Sequence, residues 1–90
     1  MKELLPNGSV VLLKNSTKKI MITGRLQRET GVEDQIWDYC ACLYPEGILN
    51  PDQSFLFQHE QIERVYFIGF QDEEELAFRE FLKQKMSERL

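Results

Sequence analysis

Residues that bind metals or form disulfides are scarce in this sequence. It contains two cysteines, Cys40 and Cys42, and one histidine, His59. Residues two apart in a strand lie on one face about 6.5 to 7 Å apart, which is too far for an easy disulfide. A single distant histidine leaves a zinc site short of ligands at any usual spacing. We therefore expect two free thiols, no bound metal and no cofactor.

A basic excess is also missing. The chain has 15 Asp and Glu residues against 11 Lys and Arg residues, a formal net charge of -4. Without a broad positive field to attract a phosphate backbone, nucleic acid is not an expected partner. The basic residues around the first predicted hairpin could form only a modest patch: Lys14, Lys18, Lys19, Arg25 and Arg28.

Long apolar runs are absent too. Nowhere do about 18 apolar residues follow one another, the length that a transmembrane helix requires. The polar start at residues 1–6 lacks the apolar stretch of a signal peptide. We therefore expect a cytoplasmic protein that does not insert into a membrane.

Sequence motifs of common enzymes are lacking as well. The chain has no G-x-S-x-G, P-loop, H-E-x-x-H or G-x-G-x-x-G pattern. His59 lies next to Glu60, but adjacent residues in a turn seldom face one site, and strand thiols among apolar neighbours are usually inert. The acidic run at residues 72–75 lacks the alternate spacing and central glycine of a calcium loop. The sequence therefore favours a protein that binds another protein and is not an enzyme.

The sequence does contain a regular succession of apolar segments. Hydrophobic residues make up 42% of the 90 residues, which is typical of a globular fold and sufficient for one core. We expect a single domain over residues 1–90. Five segments have the β-branched and aromatic character of strands and are separated by turn residues, at about 9–14, 19–27, 35–44, 54–58 and 62–69.

The second predicted strand has one strongly apolar face. Strict alternation places Ile20 and Ile22 on that face and Arg25 on the other. Gly24, in the middle of the strand, indicates a bend or a bulge. The charged residues 28–34 that follow predict an exposed loop.

Residues of about 72–88 predict a C-terminal amphipathic helix. Asp72 with Glu75 three positions later forms a capping-box pattern. One apolar stripe is predicted from the spacing of Ala77, Phe78, Phe81, Leu82 and Met86. Five strands and one helix predict an α+β fold: a small antiparallel five-stranded sheet, or a half-open barrel, with the helix packed across one face or open end.

Six aromatic or apolar residues around the third strand and the loop after it are candidates for protein contact. Such side chains bury a large area on binding, and each of them could alternatively belong to the core. An uncovered strand edge offers a second route, because its backbone N–H and C=O groups can pair with a partner strand. The candidates are Trp37, Tyr39, Tyr44, Ile48, Leu49 and Phe55.

Several short blocks occur in order along nearly the whole chain. They are LPNGSVVLLK at 5–14, KKIMITGR at 18–25, DY at 38–39, LYPEG at 43–47, FQHEQI at 57–62 and GF at 69–70. They resemble a family of small Gram-positive bacterial proteins of formerly unknown function, which are found in type VII secretion gene clusters beside LXG-domain toxins. The resemblance implies an accessory or targeting-chaperone role, similar to Lap-type partners that bind the helical LXG region of a toxin before export. It implies no catalytic residues.

Two hypotheses follow for the function. In the first, the chain is a cytoplasmic targeting partner that binds the helical N-terminal region of an LXG toxin, with or without a second small helical accessory protein. In the second, it is an immunity protein that neutralises a toxin's enzymatic domain by matching acidic residues to a basic active site. WXG100-like secretion partners are a poorer match, because Trp37 is followed by Asp38 and Tyr39 and not by the W-x-G turn.

Overall fold

A computed structural model describes residues 3–28 and 35–88 of the chain. Its elements are β1 Val10–Leu13, β2 Ile20–Arg28, β3 Ile36–Leu43, β4 Phe55–Phe57, a 3₁₀ turn His59–Gln61, β5 Ile62–Phe67 and α1 Glu73–Glu88. All neighbouring strands are antiparallel, in the order β4-β3-β2-β1-β5. The predicted α+β fold is confirmed in the form of an open five-stranded sheet with one C-terminal helix.

The first residue of the charged loop predicted after β2 belongs instead to the strand. Arg28, which we assigned to that loop, is the last residue of β2 and pairs with Ile36 of β3. The remainder of the predicted loop, residues 29–34, lies outside the described residues.

Gly24 lies at a bulge in β2, as its position in the strand predicted. The pairing of β2 with β3 shifts by one residue between Ile22 and Gly24. Because side chains alternate faces along a strand, an extra residue reverses the alternation beyond it. The prediction that Arg25 lies on the face opposite Ile20 and Ile22 is therefore wrong: Arg25 is buried and pairs with Tyr39.

The core lies between one face of the sheet and α1. The inner strands supply most of its side chains, and the N-terminal segment, β4 and α1 complete it. Its buried members are Leu4, Val11, Ile20, Ile22, Tyr39, Ala41, Phe57, Leu82 and Met86. Within residues 3–28 and 35–88, α1 is the only helix longer than a single turn. The opposite face of the sheet therefore has no helical cover.

The helix is rotated relative to its predicted apolar stripe. Leu82 and Met86 enter the core, but Phe78 and Phe81 remain about half exposed, at 48% and 50%. The prediction of one stripe that includes both phenylalanines is therefore wrong. Glu75, Leu82 and Met86 lie on one side of α1. Because Glu75 forms a buried ion pair with Arg25 of β2, this side of the helix faces the sheet.

The start of α1 is capped in part as predicted. The backbone N–H of Glu75 donates to Oδ1 of Asp72 at 3.0 Å, which satisfies one of the free donors of the first turn. In a capping box the Glu75 carboxylate would fold back toward the residue at the cap. It binds Arg25 instead, so the second carboxylate of the motif links the helix to the sheet.

A turn at residues 6–9 locks the end of β5 to the start of β1. Gly8 adopts a φ of 91°, a conformation that glycine adopts readily. The Ser9 hydroxyl donates to the Pro6 carbonyl oxygen at 2.8 Å and accepts the Gly69 N–H at 3.0 Å. The Gly69 N–H is thus bonded to the turn. β5 ends at Phe67, two residues before its predicted end.

Candidate protein-interaction surface

The loop between β3 and β4, together with the first residue of β4, presents most of the predicted contact residues to solvent. Ile48 and Leu49 are 67% and 70% exposed, and Tyr44 and Phe55 are also exposed. The Gly47 N–H donates to the carbonyl oxygen of Leu43 at 2.8 Å, which closes a tight turn below them. Trp37, the remaining candidate besides Tyr39, is half-buried at the start of β3.

Tyr39 was a candidate for protein contact, with the core as the alternative, and the structure places it in the core. Its side chain is fully buried, and its ring stacks on Phe57 with centroids 5.1 Å apart. Its hydroxyl accepts the Leu5 N–H at 2.9 Å and shares a hydrogen bond of 2.7 Å with Nδ1 of His59. The residue is buried because β3 lies between β2 and β4, with Tyr39 on the face that α1 covers.

Hydrogen bonds of Gln58 and His59 connect the end of β4 to β3. The backbone N–H of His59 donates to Oδ2 of the buried Asp38 at 2.8 Å. The side chain of Gln58 accepts the Asp38 N–H at 3.1 Å and donates to the Ile36 carbonyl oxygen at 3.2 Å. These bonds satisfy polar groups that the packing of β4 against β3 takes out of water. The FQHEQ block thus has a structural role.

The two thiols have neighbours other than His59. Sγ of Cys40 lies 3.4 Å from Oγ1 of Thr23, and Cys42 is buried in the sheet; both cysteines are free. In the part of the chain that the structure describes, no cluster of three or more His, Cys, Asp or Glu residues has the geometry to hold a metal ion.

Tyr39 gives the fold a pH dependence that can be measured. Burial raises the pKa of Tyr39 from 10.0 to about 12, outweighing the opposite effect of the Leu5 N–H bond. A group with a raised folded-state pKa stabilises the fold fully below pH 10 and loses that contribution as the pH rises through about 12. We expect the urea midpoint of the wild type to fall over this range relative to that of Tyr39→Phe, which keeps the ring. A constant difference between the two proteins across the range would contradict this assignment.

Sequence reasoning missed a second set of exposed apolar residues, in β5, in the segment that follows it and in α1. They are Val65, Tyr66, Phe67, Ile68, Phe70, Leu76, Phe78 and Phe81. With the four exposed loop candidates they make twelve large exposed apolar side chains, against eleven buried hydrophobic residues in the described chain. The apolar residues of 62–69 predicted a strand, but they carried no sign that this strand is an edge.

An apolar groove crosses the face of the sheet that α1 leaves uncovered. Its lining is Gly8, Val10, Lys19, Met21, Tyr44, Tyr66 and Phe67, around a volume of about 480 Å³. Val10 pairs with Met21 on one side and with Phe67 on the other, so side chains of three adjacent strands share this face. We call this feature the open-face groove.

Two cations lie beside Tyr66, a lining residue of the open-face groove, and one of them, Lys19, itself lines the groove. Nζ of Lys19 lies 4.8 Å from the centre of the Tyr66 ring, and the guanidinium carbon of Arg64 lies 4.9 Å from it. Both distances allow attraction between the cation and the ring. No carboxylate among the residues that the structure describes forms a salt bridge with either cation.

The basic residues that could form a patch at the first hairpin have different surroundings in the structure. Arg25 is buried against Glu75, and Lys18 lies 2.8 Å from the carboxylate of Glu46 on the surface. That contact lowers the pKa of Glu46. The member of the predicted patch that lines the open-face groove is Lys19.

The free edges of the sheet are poorly suited to pairing with another strand. β4 has three residues, and β5 has two register shifts in its pairing with β1. Bulges and short edge strands disrupt the regular ladder that strand addition needs. The exposed surface of β5 therefore offers side chains more readily than backbone.

The fold defines this chain as a small α+β protein with an open antiparallel sheet, one covered face and one apolar groove. The family model described as Domain of unknown function (DUF4176) matches residues 4–78, and the chain belongs to that family. No curated protein and no solved structure matches the chain. Within the described residues, no helix has the length and apolar character needed to cross a membrane.

Proposed function

We propose that this chain is a cytoplasmic accessory protein and targeting chaperone that binds the helical LXG region of a type VII secretion toxin. The observation that carries the proposal is the amount of apolar side-chain surface left in solvent. The large apolar side chains exposed in the described residues are about as numerous as the hydrophobic residues buried in the core. Exposed apolar side chains that lie together on a small protein, as Tyr44, Tyr66 and Phe67 do at the open-face groove, are typical of surfaces that a partner covers.

A helical partner suits this surface better than an extended one. An amphipathic helix buries its apolar stripe against the face of a sheet through side-chain contacts. The sheet has one such face without a helix, whereas its edges are short or bulged. Burial would contribute about 25 cal/mol per Å² of apolar surface, before the entropic cost of association is subtracted.

The immunity hypothesis would instead use the acidic start of α1. Asp72, Glu73 and Glu74 are exposed there and could approach a basic active site, whereas Glu75 is engaged with Arg25. This cluster has fewer residues than the apolar surface, and an N-terminal acidic turn is ordinary for a helix. We therefore favour the chaperone hypothesis.

Co-expression with a divided toxin tests the choice. The adjacent LXG toxin is cut into its helical N-terminal region and its C-terminal toxic domain, and each half is expressed with the tagged full-length chain. We expect co-purification of the helical region alone, because the apolar surface matches an apolar helix stripe. Retention of only the toxic domain would support the immunity hypothesis and end the chaperone one.

A further inference from the structure

We propose that the open-face groove is the surface that receives the partner, and that its occupant is an amphipathic α-helix whose apolar stripe is flanked by Asp or Glu. The inference rests on the proposed function and adds two points to it. It assigns the contact to one face of this chain, and it defines the sequence character of the helix that binds there.

The floor of the open-face groove is apolar and fixed by strand pairing. Val10 is 8% exposed, and it lies between Met21 and Phe67 in the register of β1 with its two neighbours. Tyr44 and Tyr66 are both about two-fifths exposed and line the same groove. Side chains at positions i, i+3, i+4 and i+7 of a helix form a stripe that can cover such a floor.

The cations at Tyr66 determine the charge that the helix should carry. Lys19 places one positive charge in the lining of the groove and Arg64 a second beside the Tyr66 ring, whereas the whole chain has a formal net charge of -4. Asp or Glu residues beside the apolar stripe of a helix would be attracted at this place. Charge complementarity of this kind acts mainly on orientation and on the rate of association.

A second copy of the chain fits the groove less well than a separate helical partner. The acidic start of α1 and its exposed Phe78 could in principle enter the groove of another copy. Groove and helix are different surfaces, however, so such a contact would be heterologous. Heterologous contacts add one copy after another into an open assembly, unless the rotation between successive copies closes a ring. A helix of another protein occupies the groove without that consequence.

The test compares two charge reversals of equal size on opposite sides of the sheet. Lys19→Glu places a carboxylate at the groove, and Lys85→Glu does the same on α1, where Lys85 lies over Phe81. The helical N-terminal region of the adjacent toxin is the probe, and its affinity is measured by calorimetry. We expect Lys19→Glu to weaken binding roughly 10-fold or more, because like charges then face each other, and Lys85→Glu to change it less than about 3-fold.

Two further measurements accompany the reversals. Tyr44→Ala, which removes part of the groove lining without a change in charge, should weaken binding about 10-fold while the melting temperature stays unchanged. The affinity of the wild type should fall with added salt more steeply than that of Lys19→Glu, because one attractive charge is missing in the variant.

The outcomes separate the two proposals. A wild-type chain that does not bind the helical region overturns the proposed function together with this inference. Equal affinities of Lys19→Glu, Lys85→Glu and the wild type overturn the groove assignment alone. Sedimentation of the wild type as an oligomer that Lys19→Glu converts to a monomer would show that a second copy occupies the groove, and this too overturns the inference.

Discussion

Replacing Arg25 with alanine is expected to lower the free energy of unfolding by about 3 kcal/mol, since it leaves the mostly buried Glu75 carboxylate with only the more distant Arg79, whose Nε lies 3.6 Å away. Arg25 donates from Nη1 and Nη2 to the two carboxylate oxygens of Glu75 at 2.6 and 2.8 Å. Only 3% of the Arg25 side chain and 13% of the Glu75 side chain are exposed. This pair joins β2 to the first turns of α1, so its loss also loosens the helix from the sheet.

An exposed ion pair in the same chain provides the matched control. Lys18 and Glu46 are 2.8 Å apart, but their side chains are 44% and 41% exposed. Lys18→Ala is expected to cost no more than about 1 kcal/mol, because water solvates both charges when the pair is broken. The single tryptophan, Trp37, allows urea unfolding of all variants to be followed by fluorescence.

A double substitution tests whether the cost of Arg25→Ala comes from the carboxylate that is left unpaired or from the loss of the ion pair itself. In Arg25→Met with Glu75→Leu neither member of the pair is charged, Arg79 keeps Glu3 as its ion-pair partner, and apolar groups of similar length fill the space. We expect this double variant to recover most of the stability that Arg25→Ala loses. Equal costs for Arg25→Ala and Lys18→Ala would contradict the role assigned to the buried pair.

Gly69→Ala is expected to destabilise the fold by about 3 kcal/mol, at the upper end of the usual cost of overpacking. An added Cβ would lie 2.1 Å from the carbonyl oxygen of Asn7 and 3.1 Å from the carbonyl carbon of Gly8. Backbone atoms cannot rotate away as a flexible side chain can. The turn at residues 6–9 must therefore separate from Gly69, which also breaks the bond from the Gly69 N–H to the buried Ser9 hydroxyl.

Gly47 is the matched control for this substitution. It has a φ of 84°, and an added Cβ would meet nothing within 4 Å. Gly47→Ala should therefore cost only the conformational strain of a left-handed alanine, about 1 to 2 kcal/mol. Chemical unfolding of both variants measures which substitution lowers the free energy of unfolding more. A smaller cost at Gly69 than at Gly47 would argue against the close contact between Gly69 and the turn at residues 6–9.

Local sequence signals predicted the elements well. The β-branched and aromatic segments between turn residues gave five strands, and the acidic turn at Asp72 gave the start of the helix one residue before Glu73. These signals are reliable here because strand propensity, turn chemistry and helix capping act within a few residues of chain. Gly24 likewise indicated a bulge from its position alone.

The interaction surface was predicted only in part. Residues in a breaker-rich loop, such as Ile48 and Leu49, can be recognised as exposed because loops run over the surface. The exposure of Phe67 depends on β5 being an edge strand, and that of Phe78 on the rotation of α1. Neither property can be obtained from the alternation of apolar residues, because the same pattern occurs in strands and helices that are covered.

The sequence by itself determined the kind and order of the elements, since each depends on propensities and hydrogen bonds among residues close together in the chain. Tertiary structure alone decided which side chains face inward. The bulge beside Gly24 brought Arg25 to the core face, and the ion pair with Glu75 then set the side of α1 that meets the sheet. A contact between residues fifty positions apart forms only when strands and helix are already assembled, and for that reason the sequence pattern did not contain it.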